Sequence, residues 1–377
     1  MKPYTLFIFM VLLLVSSCTG PLTLQPSKTG MGSLAATDKV SFTKTIPPLT
    51  ALPSQTPSPS ATPTQTRTST PTRTVTPPAL NQFSYPALNQ GITTVPYLIN
   101  PCDYLQNRWD AGNSEPGTIV VPIMFHSVAK PGREITDPTT ISMDFFEYFM
   151  VKAKDLGFTT ITIDQLIGFL YHNEKIPQRS MLLILDDRRP GVTELFMPYL
   201  EENGWTLTLA WPTTDATYDA LWDRMEGLVE TGFLDVQSHG HDHIYIQDYT
   251  PIEEVEEEIY KPIEIIEEHF GTTPQALIWP GGNFTDEAVI MARDAGFELG
   301  FTVFSRGPLM FNWIPQGDKE MAVSDPLMVL PRYWSIEGVN ALEKALEISE
   351  AARLNAASVS EQEMDYLEAY CQSTLRE

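Results

Sequence analysis

The stretch Met181-Leu182-Leu183-Ile184-Leu185-Asp186-Asp187 says the most about the fold. Five consecutive apolar residues are typical of a strand that is buried on both faces, as in a parallel sheet covered by helices. The run ends in two adjacent carboxylates, where the carboxyl end of the strand would reach the edge of the sheet. The segment therefore predicts a central strand with polar chemistry at its end.

Short apolar runs of the same kind alternate with helical patterns on both sides of this stretch. The predicted strands are 118–125, 159–163, 181–185, 206–211, 234–237, 276–279 and 299–303, with a weaker eighth at 328–333. The predicted helices are 142–156, 164–171, 193–203, 218–231, 250–270 and 285–295. Such alternation indicates an α/β domain with a mainly parallel sheet. Because seven or eight units fit into about 220 residues, we expect a distorted (β/α) barrel of seven or eight parallel strands.

The segment 250–270 combines an apolar stripe with a run of glutamates. Apolar residues recur at spacings of three and four, at Ile252, Val255, Ile259, Ile263, Ile266 and Phe270. The glutamates lie between them, at Glu253, Glu254, Glu256, Glu257, Glu258, Glu264, Glu267 and Glu268. This pattern predicts an amphipathic helix whose glutamates form a solvated face rather than a metal site.

The charge of the chain is strongly acidic and unevenly distributed. The formal net charge is −24, and residues 101–377 hold 18 of the 24 basic residues and 47 of the 48 acidic ones. A body this acidic repels polyphosphate, so the composition argues against nucleic-acid binding.

The first eighteen residues have the pattern of a secretory signal. Lys2 is followed by an apolar run that is too short to span a bilayer and is the right length for a signal peptide. The run ends in Val15-Ser16-Ser17-Cys18, which resembles a bacterial lipobox and implies lipidation of Cys18. We therefore expect a lipoprotein anchored to the cell membrane outside the cytoplasm; the alternative is an ordinary signal peptide with a chance cysteine.

A biased segment separates this signal from the rest of the chain. Residues 41–80 contain 26 Ser, Thr or Pro among 40 residues and no acidic residue. Such a composition lacks the apolar side chains that would offset the conformational entropy of the chain. Residues 19–97 are therefore predicted to be a disordered tether.

Cys102 and Cys371 bracket the predicted globular part. In an oxidising compartment two such cysteines can form a bridge, and we predict that they do, although the sequence leaves open that both are free.

Three of the six histidines fall within His239-Gly240-His241-Asp242-His243, directly after a predicted strand. His239 and His243 have the i, i+4 spacing that places two imidazoles on one face of a helical turn. One carboxylate of Asp186 and Asp187 would complete a set of two histidines and one carboxylate with open metal positions. The alternative is a surface histidine cluster.

Another strand leads into Trp279-Pro280-Gly281-Gly282-Asn283. Glycines at such a place let a backbone N–H approach a ligand closely, as an oxyanion donor must. A simple strand-to-helix turn is the alternative.

These motifs resemble the polysaccharide deacetylases of carbohydrate esterase family four. The Thr-Phe-Asp-Asp-Gly motif of that family is similar to Ile184-Leu185-Asp186-Asp187-Arg188, and its His-Ser/Thr-x-x-His motif to His239–His243. Its third motif is similar to Pro280-Gly281-Gly282, without the usual Arg. Met124-Phe125-His126-Ser127-Val128 resembles the first strand of the exopolysaccharide-deacetylase branch. The resemblance covers residues 118–336.

The resemblance implies a role for each matching residue. Asp187, His239 and His243 would bind a divalent metal, usually Zn²⁺, with Co²⁺ or Ni²⁺ accepted. Asp186 would be the general base, and the backbone N–H of Gly281 would stabilise the oxyanion. The reaction would release acetate from an N-acetylated sugar.

The sequence departs from the family pattern in two places. Arg188 replaces a glycine, where it could lower the pKa of Asp186 or block the groove. The family's Leu-x-His motif is missing, and the corresponding region reads Leu330-Pro331-Arg332-Tyr333. In the exopolysaccharide branch the histidine of the first strand is the general acid, which implies that role for His126, while Arg332 could hold Asp186 in place.

The sequence thus predicts an anchored enzyme that removes N-acetyl groups from a polymer containing N-acetylglucosamine, either exopolysaccharide or peptidoglycan. Residues 98–340 would be the deacetylase domain and 341–377 a helical extension. The rival interpretations are a catalytically degenerate glycan-binding lipoprotein and a metal-dependent hydrolase of another amide or ester. No feature of the sequence specifies an oligomeric state.

Overall fold

The computed structural model describes residues 77–78, 80, 83–187 and 191–371. The predicted signal peptide 1–18 with its lipidation site Cys18, most of the predicted tether, and Arg188 lie outside these residues. Within the described part of the chain, none of the helices combines the length and hydropathy that a membrane span requires.

The described residues form twelve strands and eight α-helices. The strands are β1 (Thr93–Val95), β2 (Ile119–Phe125), β3 (Ser127–Ala129), β4 (Thr140–Ser142), β5 (Thr159–Thr160), β6 (Arg179–Asp186), β7 (Leu207–Trp211), β8 (Leu234–Ser238), β9 (Ala276–Ile278), β10 (Leu299–Phe301), β11 (Ile314–Gln316) and β12 (Tyr333–Trp334). The helices are α1 (Pro101–Trp109), α2 (Met143–Asp155), α3 (Ile163–His172), α4 (Thr193–Asn203), α5 (Asp219–Val229), α6 (Ile252–Phe270), α7 (Asp286–Asp294) and α8 (Gly338–Tyr366).

Eight strands form one curled sheet in the order β10-β9-β8-β7-β6-β2-β12, with β5 beside β6. Their pairings are all parallel, and β2 and β6 stay in register over seven residues. The predicted α/β fold, a distorted barrel of seven or eight parallel strands, is confirmed. Because the strands are parallel, their carboxyl ends meet at one edge of the sheet.

One segment joins the two ends of the curled sheet. The Leu330 N–H donates to the Gly300 carbonyl (2.7 Å), and the Leu330 carbonyl accepts from the Thr302 N–H (2.9 Å). Three residues later, Tyr333 pairs with Ile123 of β2. A Cβ at position 300 would lie 2.1 Å from the backbone oxygen of Met328, so only glycine allows this approach.

The side chains of β6 alternate between two packed layers. Leu183 and Leu185 belong to the cluster formed with the surrounding helices, whereas Leu182 and Ile184 belong to the cluster inside the curled sheet. Asp186 continues the second series, since side chains two residues apart share a face. The pleat of the strand therefore turns its last carboxylate towards the inside of the barrel mouth.

The packed chain begins before residue 98, so the predicted tether 19–97 is wrong for residues 83–97. β1 pairs antiparallel with β11. The Tyr97 hydroxyl donates to the Leu170 carbonyl (2.7 Å), and the indole N–H of Trp313 donates to the Phe83 carbonyl (3.0 Å). The aromatic side chains of this stretch give it the apolar surface that the Ser/Thr/Pro-rich part lacks.

Helix α8 belongs to the core, although the sequence suggests a separate extension at 341–377. Its residues Leu342, Ala345 and Ile348 are fully buried in the same cluster as β2 and α2. At its start, Gly338 lies so close to Phe149 that a Cβ would stand 2.8 Å from that ring. The apolar face of the helix covers the outer side of the sheet.

A disulfide links helix α1 to the carboxyl end of the described chain. The sulfurs of Cys102, in α1, and Cys371, just after α8, are bonded, and the two Cα atoms lie 5.3 Å apart. The bridge spans 269 residues and so closes a loop around the whole sheet.

Candidate functional site

The predicted site residues gather at the carboxyl edge of the sheet. Asp186 ends β6 and Asp187 follows it; His239 directly follows β8, and His126 directly follows β2. Gly281 lies three residues beyond the end of β9. Residues far apart in sequence therefore meet because their strands are neighbours in a parallel sheet.

Two residues at this edge have left-handed backbone conformations without being glycine. Asp187 has a φ of 69° and His243 a φ of 60°. Such conformations cost on the order of 1–3 kcal/mol each and persist only where the surrounding structure imposes them. At Asp187 the turn separates two adjacent carboxylates, so that Asp186 is buried while Asp187 is partly exposed.

Asp187, His239 and His243 form a compact triangle of possible metal ligands. The His239 and His243 Nε2 atoms are 3.1 Å apart, and they lie 3.8 and 3.4 Å from Asp187 Oδ1. An ion with ligand bonds of ~2.0–2.1 Å in tetrahedral geometry would separate its ligands by about 3.3–3.4 Å. The triangle therefore fits one face of a tetrahedral site, and it is the only cluster of three such ligands among the described residues.

A contact behind His239 fixes which of its nitrogens faces the triangle. Its Nδ1–H donates to the Ile278 carbonyl at 2.7 Å, which leaves the Nε2 lone pair for a metal. Burial lowers the pKa of His239 to about 4, although Asp186 opposes this effect. The imidazole is therefore neutral near pH 7, which is the form that binds a metal.

His241, the third histidine of the cluster, points elsewhere. It is buried, and its Nδ1 lies 2.9 Å from the Thr213 hydroxyl. Burial lowers its pKa as well. The i, i+4 spacing thus selects His239 and His243 and leaves His241 as a packing residue beside β7.

Asp186 lies between a cation and the open side of the site. Arg332 Nη1 donates to Asp186 Oδ1 at 2.6 Å. Asp186 Oδ2 lies 3.6 Å from His126 Nε2 and 3.8 Å from His239 Nε2. Burial alone would raise the pKa of Asp186, but Arg332, together with the two histidines, lowers it to about 2. The carboxylate stays ionised, with one oxygen turned to the site.

Arg332 is itself held by a buried network that sequence reasoning missed. Its Nε donates to the Thr302 carbonyl (2.8 Å), and the Thr302 hydroxyl accepts from Arg306 Nη1 (3.0 Å). Arg306 in turn pairs with the buried Glu320 at 2.8 Å. These residues lie between β10 and β12 in the chain, and no local sequence pattern marks them.

His126 lies on the other side of Asp186 and remains accessible. Its ring stacks on Trp334, with 5.6 Å between centroids and 14° between planes. Its side chain is 14% exposed, against 2% for Asp186. A substrate could therefore reach His126 Nε2 from the open side of the site.

Gly281 lies in a tight turn, Pro280–Gly282, with a φ of 60°. Among the described residues, none accepts a hydrogen bond from its N–H. A Cβ at this position would lie 2.9 Å from the ring of Tyr245, which also contacts His243 with 5.5 Å between ring centroids. Tyr245 is half exposed and forms a wall beside the metal triangle, which the sequence did not indicate.

One prediction about α6 is wrong. Glu258, assigned to the solvated face, is 2% exposed. Its carboxylate accepts hydrogen bonds from backbone N–H groups of the loop that carries His239 and His243. Burial raises its pKa to about 7, against the opposing effect of those N–H groups.

Residues 173–300 match the family model of polysaccharide deacetylases. The chain carries a polysaccharide deacetylase domain. The resemblance inferred from the motifs and the assignment to a deacetylase enzyme are thus confirmed. Five of the seven predicted catalytic and metal-binding residues lie inside the match, namely Asp186, Asp187, His239, His243 and Gly281. His126 and Arg332 lie outside it.

Several solved structures are similar to this chain. The deacetylase PplD of Streptococcus pyogenes, in complex with acetate, is 16% identical over 61% of this chain and 99% of its own, with a TM-score of 0.49. IcaB from Ammonifex degensii is 17% identical over 61% of this chain and 98% of its own, with a TM-score of 0.49. The BpsB deacetylase domain from Bordetella bronchiseptica is 19% identical over 58% of this chain and 96% of its own, with a TM-score of 0.42. A search of curated proteins found no significant match.

Proposed function

We propose that this polysaccharide deacetylase removes N-acetyl groups from a polysaccharide that contains N-acetylglucosamine, in a metal-dependent hydrolysis. Exopolysaccharide is the first candidate substrate and peptidoglycan the second. One observation carries the proposal: the triangle of Asp187, His239 and His243 lies directly beside the ionised carboxylate of Asp186.

The triangle suits a divalent ion. Its edges fit a tetrahedral face, His239 is neutral, and a backbone carbonyl orients its ring. Two histidines and one carboxylate are a ligand set typical of catalytic zinc, with Co²⁺ and Ni²⁺ as alternatives. Such an ion would supply Lewis acidity for the acetamide carbonyl and would make water more acidic.

Asp186 is placed to act as the general base. Arg332 occupies Oδ1, so only Oδ2 is free to face an attacking water. As the water oxygen adds to the carbonyl carbon, Asp186 would take the proton that is released. The low pKa of Asp186 keeps it in the basic form over the whole neutral range.

Two further groups would complete the reaction. The backbone N–H of Gly281 would donate to the oxygen that becomes negative as the tetrahedral centre forms. His126 Nε2 would deliver a proton to the nitrogen as the carbon–nitrogen bond breaks, because an amine anion is a very poor leaving group. The products are acetate and a free amine on the sugar.

Acetate release from β-linked N-acetylglucosamine oligomers tests this proposal. The full-length protein should release acetate when loaded with zinc, lose the activity with a chelator, and regain it when zinc is restored. Asp187→Ala should be inactive under all three conditions. A metal-loaded protein that binds the oligomers without releasing acetate would instead be the degenerate glycan-binding lipoprotein, and activity only on non-glycan amides or esters would also refute the proposal.

We further propose that the enzyme is an extracytoplasmic lipoprotein. The Val15-Ser16-Ser17-Cys18 motif supports a lipid anchor, and the Cys102–Cys371 disulfide suits an oxidising compartment. Cys18→Ala should release the protein from the membrane fraction or block its processing. A variant that is processed normally and stays in the membrane fraction would contradict the anchor.

A further inference from the structure

The loop that carries both histidines of the metal triangle is bound to a buried carboxylate from α6. The His241 N–H donates to Glu258 Oε2 at 3.1 Å, and the Asp242 N–H donates to Glu258 Oε1 at 2.6 Å. The backbone N–H of Ile244 is a third donor. Both carboxylate oxygens therefore accept hydrogen bonds from the backbone of residues 241–244.

The approach of Glu258 is so close that it requires a glycine. Gly240 has a φ of 78°, and a Cβ there would lie 2.0 Å from Glu258 Oε2. Any side chain at this position would displace either the carboxylate or the loop. Gly240 and Glu258 are thus packed directly against each other, although they are 18 positions apart in the sequence.

Burying a carboxylate without bonded partners would be strongly unfavourable. The buried carboxylate of Glu258 finds its hydrogen-bond donors in the backbone of this one loop. The same loop contains His243, whose left-handed φ of 60° needs the surrounding structure to maintain it. The hydrogen bonds of Glu258 lie on both sides of that residue in the chain, at Asp242 and Ile244.

We propose that Glu258 is a positioning residue that holds the His239–His243 loop in its metal-binding shape. It contacts neither imidazole of the triangle in the described contacts and acts through the backbone alone. Its removal should let His243 leave the left-handed region, so that the two Nε2 atoms no longer face one ion. This inference rests on the proposed metal site.

Metal affinity of the full-length protein tests the role. In Glu258→Gln, an amide NH₂ replaces one acceptor and faces a backbone donor, so the loop loses at least one bond. We expect Co²⁺ and Zn²⁺ to bind about 10–100-fold more weakly, the range typical of residues that orient metal ligands. The visible spectrum of bound Co²⁺, which reports coordination geometry, should change as well. Glu258→Asp keeps the carboxylate and should recover part of the affinity.

Glu254→Gln is the matched control, because Glu254 lies one turn earlier on α6, is exposed, and undergoes the same substitution. Its metal affinity should equal that of the wild type. If Glu258→Gln does not fold, Gly240→Ala is used instead. The added Cβ would clash with the Glu258 carboxylate and so disturb the same contact from the loop. For each variant, the rise in Tm on adding Zn²⁺ is measured against its own metal-free form, so that a general loss of stability cancels.

The outcomes separate this inference from the proposed function. Native affinity and an unchanged Co²⁺ spectrum in Glu258→Gln, with metal lost in Asp187→Ala, would overturn the positioning role and leave the metal site standing. Failure of the wild type to bind Zn²⁺ or Co²⁺ would overturn both. Weaker metal binding in Glu258→Gln, together with native metal binding in Glu254→Gln, would support the positioning role of Glu258.

Discussion

Arg332 and Asp186 form a buried ion pair at the mouth of the barrel, with 2.6 Å between Nη1 and Oδ1. Both side chains are almost fully shielded from solvent, so neither charge is screened by water. The pair leaves Asp186 Oδ2 facing His126 and His239. One guanidinium therefore orients the carboxylate and keeps it ionised.

Replacing Arg332 with Met should change both the pH profile and the stability. Without the guanidinium, burial would raise the pKa of Asp186 from about 2. Since a general base must be deprotonated, kcat/KM should begin to fall at a higher pH than in the wild type. Leaving one charge of a buried pair without its partner should also lower the free energy of unfolding by about 3–5 kcal/mol. The pH–rate profile and urea unfolding measure the two effects.

The sign of the pH dependence of stability follows from the depressed pKa. The pair's contribution is fully present above the ordinary carboxyl pKa of 3.8 and is lost as the pH falls through about 2. In strong acid, the free energies of unfolding of Arg332→Met and the wild type should therefore differ much less than at neutral pH. Arg332→Lys keeps the charge and serves as the control. An acid limb of kcat/KM that does not move in Arg332→Met would contradict the role of the pair.

The metal triangle yields a prediction that separates His241 from its neighbours. Asp187→Ala, His239→Ala and His243→Ala each remove one of the three proposed ligands and should lose bound zinc after dialysis. His241→Ala should keep full zinc content, because its imidazole faces Thr213, although the cavity it leaves should lower Tm. Metal analysis of the four purified variants is the measurement. Full zinc occupancy in His243→Ala, or zinc loss confined to His241→Ala, would refute the ligand assignment.

The parts of the site that the sequence predicted are those encoded by short contiguous motifs. Asp186 and Asp187 directly follow a run of apolar residues, and the spacing of His239 and His243 is local. Parallel strands then bring such motifs to one edge whatever the details of the loops. Local pattern and sheet topology were therefore enough to assemble the metal triangle.

The support around these residues depends on long-range contacts that no local pattern encodes. The Thr302 carbonyl reaches Arg332 only because Leu330 joins β10 to the segment before β12. Glu258 follows Val255 by three residues and so lies beside the apolar stripe, where helical periodicity alone could not decide between burial and exposure. Its partner Gly240 is identifiable only in three dimensions.

The disulfide between Cys102 and Cys371 should be detectable in peptides of the unreduced protein by mass spectrometry. A loop of this length should raise the free energy of unfolding by ~4–5 kcal/mol in the chain-entropy model, so reduction should lower Tm markedly. The double variant Cys102→Ala/Cys371→Ala should behave like the reduced protein and be insensitive to reductant. Alkylation of both thiols in the native, unreduced protein would contradict the bridge.

We expect His126 to be the general acid. It directly follows β2, lies 3.6 Å from Asp186 Oδ2, and is kept in place by its stack on Trp334. It also lies outside residues 173–300, so its role rests on this geometry and on the resemblance of the first strand. His172, in contrast, ends α3 and is absent from this edge.

His126→Ala should lower kcat by ~10²–10⁴-fold while zinc content and Tm stay close to wild type, because the ring donates a proton but binds no metal. His172→Ala is the matched control and should retain full activity. A substrate with a better leaving group, such as an acetylated aniline, should be affected far less by His126→Ala, because its departing nitrogen needs less protonation. Near-wild-type turnover in His126→Ala, or loss of zinc together with activity, would remove His126 from the reaction and leave Asp186 to carry the proton from water to the amine.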